Sequence, residues 1–179
     1  LEWIVGQWVE GGDARSSVLA DEDAGIAAIL TGMGSLSYGE TAGERMRLGV
    51  MLNDPEEEHS CFADNTHNDH FFNGVGIQSV YLGSYTRIDG SVVEGPSLSD
   101  LVASMDTDLD AEMQTKLSAA VLALGRIKTA AEAGFSYDMM LERGSEAGEA
   151  LIMGGVNGWV LQPRYPRLCV PIRNQGPLP

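Results

Sequence analysis

Residues 107–134, TDLDAEMQTKLSAAVLALGRIKTAAEAG, carry the clearest helical pattern in the chain. Apolar or long side chains recur there every three or four residues, at Leu109, Met113, Leu117, Val121, Leu124 and Lys128. This spacing places them on one face of a helix. Thr107 and Asp110 have the spacing of a capping box at its start, and Gly134 provides a stop. The stretch therefore predicts a long amphipathic helix that packs against other elements.

Three more helices are predicted, two before this one in the sequence and one after it. Residues 21–53 read as one long helix, with or without a break in the middle, and residues 67–82 as a second that ends at Gly83. The last runs from about Ser145 to Trp159. Ser97 and Asp100 form another capping-box pair. Together these predict an all-α fold, an up-and-down helical bundle of four or five helices.

One connection has the character of a short β-hairpin. In TRIDGSVV, Asp89-Gly90 separates two β-prone triplets, which is the sequence signal for a tight hairpin turn. The predicted fold is thus all-α with a short β-hairpin-like connection.

Four glycines lie near one stripe of the predicted 21–53 helix: Gly25, Gly32, Gly39 and Gly43. Each glycine in a helix interior costs about 1 kcal/mol. Four on one face need a reason, and close approach of a second helix backbone is the interpretation that the spacing favours.

Composition excludes several classes of function. With 11 basic and 26 acidic residues the net charge is −15, which argues against nucleic acid as a partner, because such binding depends on Lys and Arg at phosphates. No run approaches the roughly 20 apolar residues of a transmembrane segment. Cys61 and Cys169 make no disulfide framework, and whether they pair is left open. The opening LEWIVGQWV looks like the interior of a longer protein.

The chain divides by composition near its C-terminus. Residues 1–162 are predicted to form the helical-bundle domain. Residues 163–179 hold five of the seven prolines, three arginines and no acidic residue. This tail is predicted to be irregular.

All three histidines fall within residues 59–70, HSCFADNTHNDH. Imidazole is the commonest metal ligand and the usual proton carrier near neutral pH. If Thr66 caps a helix, with Asp69 three residues on, His67 and His70 lie on one helical face. The alternative is a capped, solvated turn without chemistry.

Glu40 and Glu44 are spaced i, i+4 in GMGSLSYGETAGERM. Two carboxylates on one face can bind a hard cation or share acid–base chemistry. An exposed acidic face is the alternative. A counter-charge is expected, and Arg45 and Arg47 are close in sequence, although neither lies on quite the same face. No zinc-protease helix, nucleophile elbow or P-loop is present.

Four strings resemble the C-terminal half of the imelysin-like proteins: ILTGMGSLSYGETAGERM, EEHSCFADNTHND, GIQSVYLGSYTRIDGS and GPSLSDLV. These are bacterial envelope proteins linked to iron acquisition, and one is described as an insulin-cleaving metallopeptidase. The resemblance implies two related helical-bundle domains with a site at their interface. It also implies that the proposed metal motif, G-x-H-x-x-E, lies in the N-terminal half, and no histidine here is followed by glutamate at the third position.

The resemblance implies that this chain contributes to that interface site. Its matching residues are Glu40, Glu44, Arg45, Asp64, Asn65 and His67. From their chemistry we predict that Asp64 and His67 are metal ligands and that Glu40, Glu44, Arg45 and Asn65 bind the ligand. The implied cofactor is a divalent metal ion, iron or zinc, and the implied partners are the N-terminal half of the same protein and a metal or metal-bearing ligand. The implied location is the periplasm or the outer membrane.

Besides a purely structural helical domain whose capping residues carry no chemistry, two functions remain open from the sequence. The first is a module that binds a metal ion or metal-bearing ligand in iron acquisition. The second is a metallopeptidase whose catalytic metal is held mainly by the other half. A hydrolytic zinc site needs about three protein ligands, and this chain shows no compact set of them. The sequence therefore favours the binding module.

Overall fold

The helix predicted from residues 107–134 packs against three other helices in a computed structural model that describes residues 1–159. The chain forms two compact units, one of residues Leu1–Ser35 and one that begins at Leu36. The predicted tail at 163–179 and any pairing of Cys61 with Cys169 lie outside the described residues.

The fold is all-α with one short hairpin, as predicted. The first unit contains α1 (Glu2–Trp8), α2 (Asp13–Leu19) and α3 (Glu22–Gly34). The second contains a π-helix (Ser35–Arg47), α4 (Leu48–Leu52), a 3₁₀ turn (Cys61–Ala63), α5 (Thr66–Leu82), β1 (Ser84–Thr86), β2 (Val92–Glu94), α6 (Leu98–Met105), α7 (Thr107–Glu132), α8 (Tyr137–Leu141) and α9 (Glu146–Trp159).

Antiparallel packing of α5, α7 and α9 forms the core of the second unit. Tyr81 near the end of α5 donates a hydrogen bond to Asp110 near the start of α7, at 2.9 Å. Gly74, in the middle of α5, lies against Leu124 in the second half of α7. Met113, Leu117 and Leu124 of α7 are buried, on the face that its periodicity predicted. Near the end of the helix Ile127 is buried rather than the predicted Lys128.

Capping chemistry was predicted correctly at one helix and wrongly at another. Ser97 and Asp100 form a reciprocal capping box at the start of α6. At α7 the cap is Asp106, whose carboxylate accepts from the backbone N–H groups of Asp108 and Leu109. Asp110 is instead buried, and its carboxylate accepts hydrogen bonds from Ser99 and Tyr81. A tertiary network therefore takes the residue that local spacing assigned to a cap.

The predicted hairpin is present, with a longer turn than expected. β1 and β2 pair antiparallel, Tyr85 opposite Val93. Five residues join the strands rather than two, and the Arg87 N–H donates to the Ser91 carbonyl. Gly90 lies in the left-handed region at φ +83°, which glycine adopts without a steric penalty.

The glycine stripe does not mark a helix–helix contact along its length. A Cβ built at Gly25 would lie 2.5 Å from the carbonyl oxygen of Val18 in α2, so a close approach exists there. Cβ atoms at Gly32 and Gly39 would meet no described atom within 4 Å. At Gly43 the nearest described atom is the carbonyl oxygen of Tyr38, in the same π-helix. Among the described residues the close approach is therefore found at Gly25 and not at these three, because helical phase alone does not show which face is covered.

Candidate functional site

The predicted 21–53 helix changes type at Ser35 and continues as a π-helix of 13 residues. A π-helix is rare and usually a single-turn bulge, and it often occurs at functional sites. Its i, i+5 geometry brings Arg45 to Glu40, with Nη2 and Oε2 2.7 Å apart. The expected counter-charge for the carboxylate pair is therefore Arg45, through a contact that ideal α-helical spacing would not make.

Glu44 lies on the same π-helix and is exposed. It makes no hydrogen bond or ion pair with any residue among 1–159. The two glutamates thus differ: Glu40 is held by Arg45, whereas Glu44 is available to a ligand or partner.

The start of α5 is built differently from the predicted capping box. Asn65 occupies the cap position without a side-chain cap, and Thr66 is already helical. The Thr66 side chain is fully buried, and its Oγ1 accepts a hydrogen bond from the Ser60 backbone N–H at 2.9 Å. Asp69 accepts a hydrogen bond from the Ser60 hydroxyl. These two residues fasten the preceding loop to α5 instead of capping the helix.

A recess of about 480 Å³ opens beside this fastened loop and the first turns of α5. Six described residues line it: His59, Asn65, Asn68, Asp69, Phe72 and Asn73. We call it the polar recess. Asn68 Nδ2 donates to Asn65 Oδ1 at 2.9 Å, and it lies 3.1 Å from His67 Nε2. This chain of contacts orders the amides along one wall.

The residues expected to hold a metal do not form a complete centre. Asp64 is exposed at the end of the 3₁₀ turn, in the left-handed region at φ 46°. His67 is half-buried beside Asn68. Within residues 1–159, no three His, Cys, Asp or Glu side chains come together in a way that could hold a metal ion. Asp64 and His67 could supply ligands only alongside donors from elsewhere.

Behind the recess lies a buried polar cluster that centres on His70. His70 and Tyr137 are fully buried, with ring centroids 5.2 Å apart in an edge-on arrangement. Both ring nitrogens of His70 and the hydroxyl of Tyr137 lack hydrogen-bond partners among the described residues. The His59 ring lies 6.5 Å from that of His70 and connects the cluster to the recess.

Burial controls the protonation of this cluster. It lowers the pKa of His70 to about 4, and the nearby His59 and Arg45 act in the same direction, against Asp69. Burial also raises the pKa of Tyr137 and that of Glu58, whose hydrogen bond with Thr66 acts in the opposite direction. At neutral pH the centre of the cluster is a neutral imidazole beside a neutral phenol.

The family model described as imelysin, peptidase M75, matches residues 1–162. The chain belongs to the imelysin family. Among individually characterised proteins, none matches this imelysin chain significantly. The π-helix, the polar recess and the buried cluster all lie within the matched range of the imelysin model.

Several residues of this imelysin site were not singled out from sequence. Asn68 and Asn73 carry no motif, and Tyr137 lies in a five-residue helix too short to show periodicity. His59 was noted only as a member of the histidine window, and His70 only as lying on one helical face with His67. One signal was available for His70, which falls on the same helical face as Gly74 and Ile77, the buried face of α5. None of the helices within residues 1–159 is long and apolar enough to cross a membrane.

Proposed function

We propose that this chain is the ligand-binding C-terminal half of an envelope protein that takes up a metal ion or metal-bearing ligand for iron acquisition. The observation that carries the proposal is the polar recess. Its volume falls within the roughly 300–1,000 Å³ typical of small-molecule sites. Family membership supplies the link to iron, and the recess supplies a place where a small polar molecule fits.

The donor set favours a ligand that brings part of its own coordination. Residues 1–159 contain no three-ligand metal group, so a bare ion would find too few donors in this chain alone. In our proposal the remaining donors come from the bound ligand or from the N-terminal half. We assign Asp64 and His67 of this chain to the metal, and Glu44 to the bound ligand.

Iron retention by the full-length protein tests the proposal. The protein is incubated with ferrous chloride or with a neutral ferric trihydroxamate and dialysed, and bound iron is measured by atomic absorption. We expect Asp69→Asn and Glu44→Gln to weaken retention about tenfold each, equivalent to about 1.4 kcal/mol. Helicity should not change, because neither carboxylate lies in the apolar core.

Asp108→Asn is the matched control. Asp108 is exposed in the first turn of α7. That turn lies beside the C-terminal end of α5, whereas the recess lies beside the N-terminal end of α5. The Asp108→Asn variant should retain iron like the unmodified protein. If the full-length protein retains neither form of iron, or if all three variants behave alike, the proposed function is wrong.

A further inference from the structure

The polar recess offers both hydrogen-bond donors and hydrogen-bond acceptors. Only Oδ2 of Asp69 accepts a hydrogen bond from a described residue, so this carboxylate keeps accepting capacity. The Asn68 amide nitrogen is engaged by Asn65 and His67, which leaves its carbonyl oxygen as an acceptor. Asn73 lines the recess as well, and its Nδ2 is a buried donor without a partner.

The Asn73 amide nitrogen is buried and has no partner among the described residues, so a rotation of this side chain would be needed to bring it to an acceptor in the recess. Leaving a buried donor unsatisfied costs about 1–3 kcal/mol. An oxygen supplied by an occupant of the recess would remove that cost. A hydroxyl can accept from Asn73 and donate to an amide or carboxylate oxygen at once.

Charge in the recess disfavours anions. None of the described residues that line it is Lys or Arg, and Asp69 contributes a carboxylate. The whole chain has a net charge of −15. Carboxylate or phosphate ligands are usually bound through Arg or Lys, so an anionic ligand would meet repulsion without a paired cation.

Phe72 adds an apolar platform to this polar lining. Its side chain is 58% exposed although it lines the recess. The Phe71 ring contacts it edge-on, with centroids 5.1 Å apart and planes at 73°. Phe71 in turn packs over Gly125 of α7, where a Cβ would lie 3.6 Å from its ring. The exposed ring is therefore held in place by the core.

We propose that the polar recess binds a neutral, hydroxyl-rich ligand of monosaccharide size, with one apolar face stacked on Phe72. This proposal rests on the proposed function, because it takes the polar recess as the binding site. It adds the chemical class of the ligand. Hydroxyls bridge Asn68, Asp69 and Asn73, while C–H groups of the ligand cover the aromatic ring. A neutral, hydroxyl-rich ligand also accounts for the described lining of the recess, which is rich in amide groups and contains no Lys or Arg.

The test is binding of methyl α-D-glucopyranoside to the full-length protein, with no metal present. Saturation-transfer NMR should detect the sugar at millimolar concentration, and the side-chain amide signals of Asn68 and Asn73 should shift. Phe72→Ala should weaken binding about threefold to tenfold, the range for losing one aromatic contact. Phe72→Tyr should restore it, because the ring face remains.

Phe62→Ala is the matched control, since Phe62 is fully exposed and does not line the recess. It should bind the sugar normally. Choline and citrate serve as competing classes. Binding of choline or citrate with no binding of the sugar would overturn the proposal, as would sugar binding that ignores Phe72.

Comparison with iron retention separates the two proposals. If the protein retains iron but does not bind the sugar, the proposed hydroxyl-rich class of ligand is wrong and the proposed role in iron acquisition is still supported. Sugar binding without iron retention would support the class and contradict the function.

Discussion

Among the single residues, one histidine resists protonation in the folded protein. His70 is fully buried, and its ring lies near those of Tyr137 and His59. The charges of Asp69 and Arg45 also act on it, in opposite directions. A protonated imidazole there would need two hydrogen-bond acceptors, and neither ring nitrogen has a partner among the described residues. The folded protein therefore holds this residue neutral well into the acidic range.

This burial predicts a loss of stability in mild acid. Above pH 6.5 His70 is neutral in both states and contributes no pH dependence. As the pH falls from 6.5 to about 4, the unfolded chain takes up the proton and the folded chain does not, so the free energy of unfolding decreases. At about 1.4 kcal/mol per pH unit, the loss reaches roughly 3 kcal/mol at most.

Urea titrations of the unmodified protein and of His70→Leu at pH 7 and pH 4.5 measure this effect. Between pH 7 and pH 4.5 the unfolding free energy of the unmodified protein should fall by more than that of the variant, because the variant has no buried imidazole to keep neutral. His67→Leu is the control, since His67 is only half-buried. An equal pH dependence in all three proteins would contradict the assignment to His70.

At the element scale, glycines in one helix have opposite roles. Gly148 and Gly154 both lie in α9. A Cβ at Gly148 would overlap the backbone of Met140 in α8, whereas a Cβ at Gly154 would meet no described atom within 4 Å. Backbone cannot move aside as a flexible side chain can, so the same substitution should have opposite effects at the two sites.

We expect Gly148→Ala to destabilise the protein by roughly 1–3 kcal/mol, the usual cost of forced overpacking. Gly154→Ala should stabilise it by up to about 1 kcal/mol, because alanine has the higher helix propensity. Each value is the unfolding free energy from urea denaturation. A Gly148→Ala variant that is as stable as the unmodified protein, or more stable, would show that α8 and α9 do not approach as closely as described.

Local signals in the sequence predicted the elements well and the contacts between them poorly. Ser97 caps α6 as predicted, and Gly83 ends α5, because both act through backbone within a few residues. Asp110 and Thr66 have similar local spacing but bind distant or preceding segments. The partner of a polar side chain depends on tertiary packing, which spacing does not encode.

The π-helix shows the same limit. The glutamate pair and the nearby arginine were visible in the sequence, but the Glu40–Arg45 contact requires i, i+5 geometry. Nothing in GETAGERM distinguishes a π-helix from an α-helix. The wall of the recess at Asn68 and Asn73 was likewise missed, because asparagine on a helix has no periodic signature of its own.

At the scale of the whole molecule, the question is how much chemistry this chain performs alone. It belongs to a family whose model is described as a peptidase, and the resemblance implies a metal motif in the other half. Within residues 1–159 no three His, Cys, Asp or Glu side chains converge. Hydrolytic zinc sites use three protein ligands and keep a fourth position for water.

We therefore expect the 179-residue chain to show no chelator-sensitive proteolysis. The measurement is casein cleavage by the purified chain, with and without added zinc, and again after chelation. Asp64 and His67 offer at most two ligands, too few to hold a catalytic zinc ion firmly when the remaining donors must come from water. The full-length protein, assayed under the same conditions, is the matched comparison. Cleavage by the 179-residue chain that is lost with chelator and restored by zinc would contradict this expectation, because the ligands would then have to come from this chain. Activity of the full-length protein alone would place the decisive donors in the other half and leave the polar recess as this chain's contribution.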